Sequence, residues 1–258
     1  GDAVADLAPT TTLSLGDVSG ASSTLTAQGN GTLLLAAPPS IQSLTLNNAE
    51  LAFSNSMTVT TPVELQRAVT VRPNTNTTVT VNALISGSGG LIKAGSNTLA
   101  LAAGNSYTGA TRIDGGTLAV ASLANGGQPS SIGASAADSA NLFIGPATLR
   151  YTGPTVTTDR GLSAQPGIFK VSLLHTENDL TLGGKIQVAG CIRKTGPGTL
   201  RLTYPGEQFL GTSETNIDVV ATLLPNGDSP ALGFQALTIS NGKLVVGLPG
   251  QTNRVNAR

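Results

Sequence analysis

Short runs in which apolar and small polar residues alternate recur along this 258-residue chain, and they constrain its fold more than any other feature. Examples are Leu44-Thr45-Leu46, Leu99-Ala100-Leu101 and Leu237-Thr238-Ile239. A period of two places successive side chains on opposite faces, which is typical of a short, half-buried β-strand. Asn-Gly, Gly-Gly and Pro-Gly dipeptides between the runs predict tight turns. The chain is therefore predicted to be all-β.

Internal repeats predict that these strands form a solenoid. Residues 44–53 (LTLNNAELAF) are echoed by residues 237–246 (LTISNGKLVV), and residues 93–101 (KAGSNTLAL) by residues 194–202 (KTGPGTLRL). Each unit is a strand, a tight corner and a strand, so its inward side chains are buried only when coils stack above and below. We predict one elongated domain over residues 1–258, with roughly ten coils. The predicted interior positions are Leu44, Leu46, Leu99, Leu101, Leu118, Leu149, Leu200, Leu202, Leu237 and Ile239.

The composition excludes several classes of function. Lys+Arg and Asp+Glu each number 14, so no basic field is present that could hold a nucleic acid. No apolar run reaches the ~20 residues of a membrane span. The single Cys191 cannot form an intramolecular disulfide and is predicted to be a small buried residue. A chain of this kind is expected to be stabilised by its core and its backbone ladders alone.

Residues 89–120, GGLIKAGSNTLALAAGNSYTGATRIDGGTLAV, resemble the autotransporter-associated β-strand repeat, or passenger-associated repeat, of bacterial surface and secreted proteins. The shared features are Lys-x-Gly, Thr-Leu-x-Leu, Asn-x-Tyr-x-Gly and a closing Gly-Thr-Leu. Family-like segments extend over about 87–122 and 142–212, and residues 122–140 between them are predicted to be a surface excursion. The resemblance implies a right-handed parallel β-helix at the cell surface of a bacterium or outside it, with its signal peptide removed.

The repeat suggests which residues form the corners of the coils. We interpret its glycines as positions of positive φ or close backbone approach, and Asn105 as a left-handed residue whose amide stacks along the coils. Tyr107 is expected to lay its ring against a coil edge with its hydroxyl in solvent. The predicted structural corner residues are Lys93, Gly95, Asn105, Tyr107, Gly109, Gly116, Lys194 and Gly196.

Two clusters of polar residues outside the repeat corners are candidate sites. His175, Glu177 and Asp179 are spaced so that one strand would place them on one face, which could hold a metal or an acid–base pair. The alternative is a solvated polar turn, and we predict that the three residues bind no metal tightly. Arg150, Asp159 and Arg160 are predicted to form a surface ion pair that fixes a corner, or to take part in recognition.

No motif for nucleophilic catalysis, redox chemistry or phosphate binding occurs, so we predict a protein without enzymatic activity or cofactor. The first hypothesis is an adhesive or structural passenger segment that binds a surface glycan or another cell-surface partner. The second is a filament subunit that self-associates by end-to-end stacking. The third is a polysaccharide-active β-helix, which would gather acidic side chains from adjacent coils.

Overall fold

A computed structural model describes residues 1–164, 171–188 and 191–203, and these residues contain 24 β-strands. The first twelve are β1 Ala3–Leu7, β2 Thr12–Leu15, β3 Ser19–Gly29, β4 Thr32–Leu35, β5 Ser40–Asn47, β6 Glu50–Phe53, β7 Met57–Val59, β8 Val63–Leu65, β9 Val69–Pro73, β10 Thr78–Val81, β11 Ile85–Ser86 and β12 Leu91–Lys93. The others are β13 Thr98–Leu101, β14 Thr111–Ile113, β15 Thr117–Val120, β16 Leu142–Ile144, β17 Thr148–Tyr151, β18 Val156–Thr158, β19 Leu162–Ala164, β20 Val171–Thr176, β21 Leu180–Leu182, β22 Ile186–Val188, β23 Cys191–Thr195 and β24 Leu200–Leu202.

The strands form four parallel sheets. The first sheet is β1-β3-β5-β8-β11, the second β2-β4-β6-β9-β12-β14-β16-β19-β22, the third β7-β10-β13-β15-β17-β20-β23 and the fourth β18-β21-β24. The chain visits the sheets in rotation and contributes one strand of the second sheet per turn, which makes about nine coils in the described part. The predicted all-β, parallel β-solenoid is thereby confirmed, while its right-handedness stays a prediction. The helical content of these residues is one short turn, Ser139–Asn141, and none of it could cross a bilayer.

Equivalent apolar side chains stack from coil to coil to form the core. In the third sheet Val79, Leu99, Leu118, Leu149 and Leu174 pair in register, and each is at most 1% exposed. In the first four of these strands a threonine that is not buried precedes the core residue, so the Thr-Leu pattern matches the two faces of the sheet. Seven predicted interior residues are confirmed as buried: Leu44, Leu46, Leu99, Leu101, Leu118, Leu149 and Leu200. The side chains of residues 202, 237 and 239, and that of Cys191, lie outside the described ones.

The two copies of the repeat unit that contain Lys93 and Lys194 do not occupy the same place in the coil. Lys93 ends β12 in the second sheet, whereas Lys194 lies in β23 in the third sheet, so the unit has moved on by one face. Lys93 pairs in register with Ile113 of the second sheet, whereas Lys194 pairs with Leu174 of the third sheet, so the chain between the two lysines is not a whole number of turns. Sequence repetition therefore identified the building unit but not its angular position.

Candidate functional site

The first sheet ends at β11, and on the same side of the solenoid the coils that follow directly contain loops instead of strands. Beyond β11 the backbone still follows the previous coil, since Ser106 N–H donates to Ile85 O (2.9 Å) and Thr108 N–H to Gly87 O (3.0 Å). The next layer is formed by residues 122–141, which join β15 to β16 and are called the long loop below.

Backbone hydrogen bonds tie the long loop to the coils on both sides. Asn105 and Ser130 exchange two of them, at 2.9 and 3.2 Å, in an isolated antiparallel bridge. On the other side Gly161 N–H donates to Ala137 O at 2.8 Å. The long loop is therefore an irregular layer of the solenoid, inserted between the first and fourth sheets.

The middle of the long loop is buried, which corrects the expectation of a surface excursion over 122–140. Ser130 and Ser131 are at most 1% exposed. The Ser131 hydroxyl oxygen accepts hydrogen bonds from the backbone N–H groups of Ala121 (3.2 Å) and Ser122 (3.0 Å). Serine side chains can be buried when they satisfy backbone groups in this way, and composition alone does not reveal such partners.

The longest exposed run of the long loop is three residues. Gly127, Gln128 and Pro129 are consecutive exposed residues, and we call them the loop apex. The turn is closed by bonds from Gly127 N–H to Ser135 O (2.9 Å) and from Gln128 N–H to Asn125 O (3.0 Å). The loop apex is uncharged and offers amide and ring surface to solvent.

A buried arginine, Arg160, holds the long loop through hydrogen bonds from its guanidinium group. Arg160 is 2% exposed, and its Nε donates to Ala124 O at 2.8 Å. Nη1 donates to Ser135 Oγ (3.0 Å), and Nη2 donates to Gly133 O (3.0 Å) and Gln128 O (3.3 Å). Burial lowers the pKa of this guanidinium from its ordinary value, although nearby groups oppose the shift. One cation thus organises four points of the loop, including its apex.

The predicted ion pair among Arg150, Asp159 and Arg160 is not what forms. Arg150 Nη2 instead pairs with Glu177 Oε1 at 2.6 Å, and Asp159 Oδ1 accepts from Gly126 N–H at 2.7 Å. The prediction was wrong because each partner comes from a different coil or from the long loop, far away in sequence.

Tyr107 lies against the same loop, with its hydroxyl buried and not in solvent as predicted. The residue is 0% exposed, and its hydroxyl is 2.6 Å from Thr111 Oγ1. Thr111 Oγ1 in turn donates to Ile132 O at 3.1 Å. Burial raises the pKa of the Tyr107 phenol. The long loop covers the edge on which the hydroxyl was expected to meet water.

Asn105 links three layers through its amide. The backbone N–H of Ile85 donates to its Oδ1 (2.9 Å), and its Nδ2 donates to Ser131 O (2.9 Å). The expected left-handed backbone is absent here. The described non-glycine residues with positive φ are Thr10, Asn48 and Asn76. Asn105 therefore acts through side-chain hydrogen bonds rather than through its backbone conformation.

The repeat lysine is buried together with its charge. Lys93 is 0% exposed, and its Nζ donates to the carbonyl oxygens of Ala94 (2.8 Å), Gly95 (2.9 Å) and Gly115 (3.0 Å). An ammonium group has three donors, and all three are used here. The side chain thus turns inward at the corner and ties two neighbouring coils together.

Two different physical reasons require glycine at the predicted corner positions. Gly95 and Gly116 have φ of 76° and 64°, the left-handed region that suits a residue without Cβ. At Gly109 a Cβ would lie 2.5 Å from backbone atoms of Gly89, so the limit there is space.

The second copy keeps the same lysine–glycine corner. Lys194 is 2% exposed, and its Nζ donates to Gly196 O at 2.5 Å. Gly196 has φ of 86°. The corner chemistry is therefore preserved although the unit lies one face further around the coil.

His175, Glu177 and Asp179 do not lie on one strand as predicted, because β20 ends at Thr176. His175 Nε2 is 3.2 Å from Glu177 Oε1, and His175 Nδ1 is 3.1 Å from Thr195 Oγ1. Asp179 Oδ1 accepts from Thr199 N–H at 2.7 Å, and this bond is the main reason that its pKa is lowered. Within the described ranges, no three His, Cys, Asp or Glu side chains gather as metal ligands.

One family model and one known protein match parts of this chain. Residues 91–120 match the family model of the passenger-associated-transport-repeat. Over 136 residues, 52% of its length, the chain is 43% identical to the adhesin BmaC autotransporter of Brucella suis biovar 1 (strain 1330). The chain carries an autotransporter passenger repeat. It spans 4% of the length of that relative, and no solved structure matches it.

The passenger repeat and the long loop are adjacent in sequence. The matched residues run from β12 to the end of β15, and the long loop follows directly. Arg160 lies outside the matched residues, and its partners are 25 to 36 residues away in the chain. No local sequence signal marks Arg160 as buried, because its acceptors are mostly backbone carbonyls.

The lysine of the passenger repeat is expected to make stability depend on pH. Burial, helped by the charge of Arg72, lowers the pKa of Lys93 to about 8. The unfolded chain then binds more protons than the folded chain between about pH 8 and the ordinary lysine pKa of about 10.4, so stability should rise with pH across that window. Urea unfolding at about pH 7 and about pH 9.5 measures this rise. Lys93→Met should be less stable at both pH values and should lose the rise; an equal rise in the variant would contradict the assignment.

Proposed function

We propose that this chain is a non-enzymatic, adhesin-type passenger segment, located at the bacterial cell surface or secreted, in which the coils present the long loop to a partner on another surface. The observation that carries the proposal is the set of hydrogen bonds from Arg160 to the long loop, which we call the Arg160 clamp. Its guanidinium bonds Ala124, Gln128, Gly133 and Ser135, so it holds both sides of the loop apex. The similarity to a protein named as an adhesin supports the same role.

A fixed loop suits recognition because it loses little freedom when a partner binds. Association is opposed by the ordering of loops and side chains, and a loop that is already ordered avoids most of that cost. The loop apex offers the Gln128 amide, the Pro129 ring and backbone groups, without charge. This chemistry fits a neutral, hydrogen-bonding partner such as a surface glycan better than a charged one.

A matched pair of substitutions tests the proposal. Gln128→Glu places a charge in the loop apex, and Thr75→Glu places the same charge in an exposed turn elsewhere. Fluorescently labelled chain is applied to cultured mammalian cells and to a glycan array. We expect binding to fall about tenfold or more for Gln128→Glu and to stay unchanged for Thr75→Glu. Equal binding by the parent, Gln128→Glu and Thr75→Glu would overturn the role of the loop apex.

Self-assembly through an end coil is the second candidate role, and one observation favours it. Leu13 and Leu15 in β2 are only partly buried, whereas their register partners Leu33 and Leu35 in the next coil are at most 1% exposed. The inward face of the first coil thus has room for a further coil, which either the same chain or a second copy could supply. Light scattering on the same samples decides between the roles, since stacking would make the mass increase with concentration.

A further inference from the structure

An open groove crosses several coils at the corner between the first and second sheets. It has a volume of about 600 Å³, and none of its lining residues belongs to the long loop. The side chains that line it include Asn48, Gln66, Arg67, Ser88 and Arg112. These come from four successive coils, so the groove follows the axis of the solenoid for roughly 14 Å at a strand spacing of about 4.8 Å.

The floor of the groove is backbone. A Cβ at Gly89 would overlap the carbonyl oxygen of Arg67, and a Cβ at Gly109 would lie 2.5 Å from the backbone of Gly89. Coils this close together leave no room for side chains at the corner, so the corner is recessed. Gln66 and Ser88 follow paired strands in successive coils and both line the recess. The Ser88 hydroxyl donates to Gln66 O at 3.3 Å, so its oxygen remains an acceptor for the hydroxyl groups of a ligand, as the Gln66 amide is a donor and an acceptor.

The charges of the groove are of one sign. Arg67 and Arg112 line it, and within the described residues no Asp or Glu side chain does. Arg112 is held in place, because its Cζ lies 3.9 Å from the centroid of the Phe143 ring and its Nε pairs with Asp114 Oδ1 at 2.6 Å. Arg67 is exposed, and no described carboxylate lies within ion-pair distance of it. In a chain of zero net charge, this is a local cationic site with one uncompensated guanidinium.

We propose that this groove binds a linear anionic polysaccharide along the solenoid axis, with Arg67 and Arg112 on its acidic groups. Guanidinium groups bind carboxylates and sulfates in a bidentate manner, and the polar rim is suited to sugar hydroxyls. Two arginines are too few for nucleic acid, whose binding depends on many phosphate contacts. The site does not depend on the proposed role of the long loop, since the two share no residue.

Three oligosaccharide probes of equal length test the proposal by titration calorimetry on the 258-residue chain. Polygalacturonate supplies carboxylates, dextran sulfate supplies sulfates, and dextran is the neutral control. We expect saturable binding of at least one anionic probe that weakens as salt is added, and no binding of dextran. Binding of only one anionic probe identifies the acidic group that the groove accepts.

Substitutions locate the site. Arg67→Gln should weaken binding of the anionic probe about tenfold, Arg67→Lys should weaken it less, and Gln128→Glu in the loop apex should leave it unchanged. Arg72→Gln is the matched control, because Arg72 is also exposed but pairs with Glu50 and does not line the groove. Failure of both anionic probes to bind, or an equal loss with Arg72→Gln, would overturn the proposal. Neither result would bear on adhesion through the loop apex.

Discussion

Replacing Arg160 with methionine is expected to lower the free energy of unfolding by about 3 kcal/mol and to release the long loop. The methionine keeps most of the apolar volume, but it leaves the carbonyl oxygens of Ala124, Gln128 and Gly133 without the guanidinium. Bonds to a charged donor are worth about 1.5–3 kcal/mol each, and the smaller total allows for the desolvation that the buried cation no longer incurs.

Hydrogen exchange shows where this loss is located. The amides of Ser131 and Ala134 bond to neighbouring segments and should exchange much faster in Arg160→Met, while those of β4 and β6 should keep their protection. In Arg160→Lys the exchange rates of these amides should lie between those of the parent and those of Arg160→Met. One ammonium group cannot reach all the acceptors that surround the planar guanidinium.

Arg72→Met is the matched control for this experiment. Arg72 pairs with Glu50 at 2.7 Å, but its side chain is 46% exposed. Exposed ion pairs contribute about 0–1 kcal/mol, so this variant should be nearly as stable as the parent. Unchanged protection of the long loop in Arg160→Met, or an equal loss in Arg72→Met, would show that Arg160 is not the clamp.

Gly109→Ala is expected to destabilise the chain by about 3 kcal/mol, near the upper end of what overpacking costs. The new Cβ would lie 2.5 Å from backbone atoms of Gly89 and Gly90 in the previous coil. Backbone in a parallel ladder cannot rotate away as a flexible side chain can, so two coils would have to separate.

Gly104→Ala is the control for the added methyl group. At Gly104 a Cβ meets no atom within 4 Å, and φ is not positive. This change should be neutral, or stabilising by about 0.4–1 kcal/mol, because alanine reduces the freedom of the unfolded chain. Urea unfolding of both variants gives the comparison. Similar stabilities would mean that the coils at the Gly109 corner are not in close backbone contact.

The fold was predictable because its information is local and repeated. The alternation Thr98-Leu99-Ala100-Leu101 marks the inward side chains, and every coil repeats the same requirement, so Leu118 and Leu149 stack on Leu99 as expected. The candidate site was not predictable in the same way. Arg160, Tyr107 and the serines of the long loop are polar, and the sequence carries no sign that their partners lie in other coils.

Alternation and repetition in the sequence alone thus determined an all-β solenoid and its inward leucines, because strand periodicity depends on neighbouring residues. The passenger repeat was identified by its resemblance to a known family. Tertiary structure alone decided that the middle of the long loop is buried, that Arg160 clamps the loop and that Lys194 lies one face beyond Lys93. A polar side chain is buried only where acceptors converge on it, and here those acceptors belong to segments that only the winding of the chain brings together.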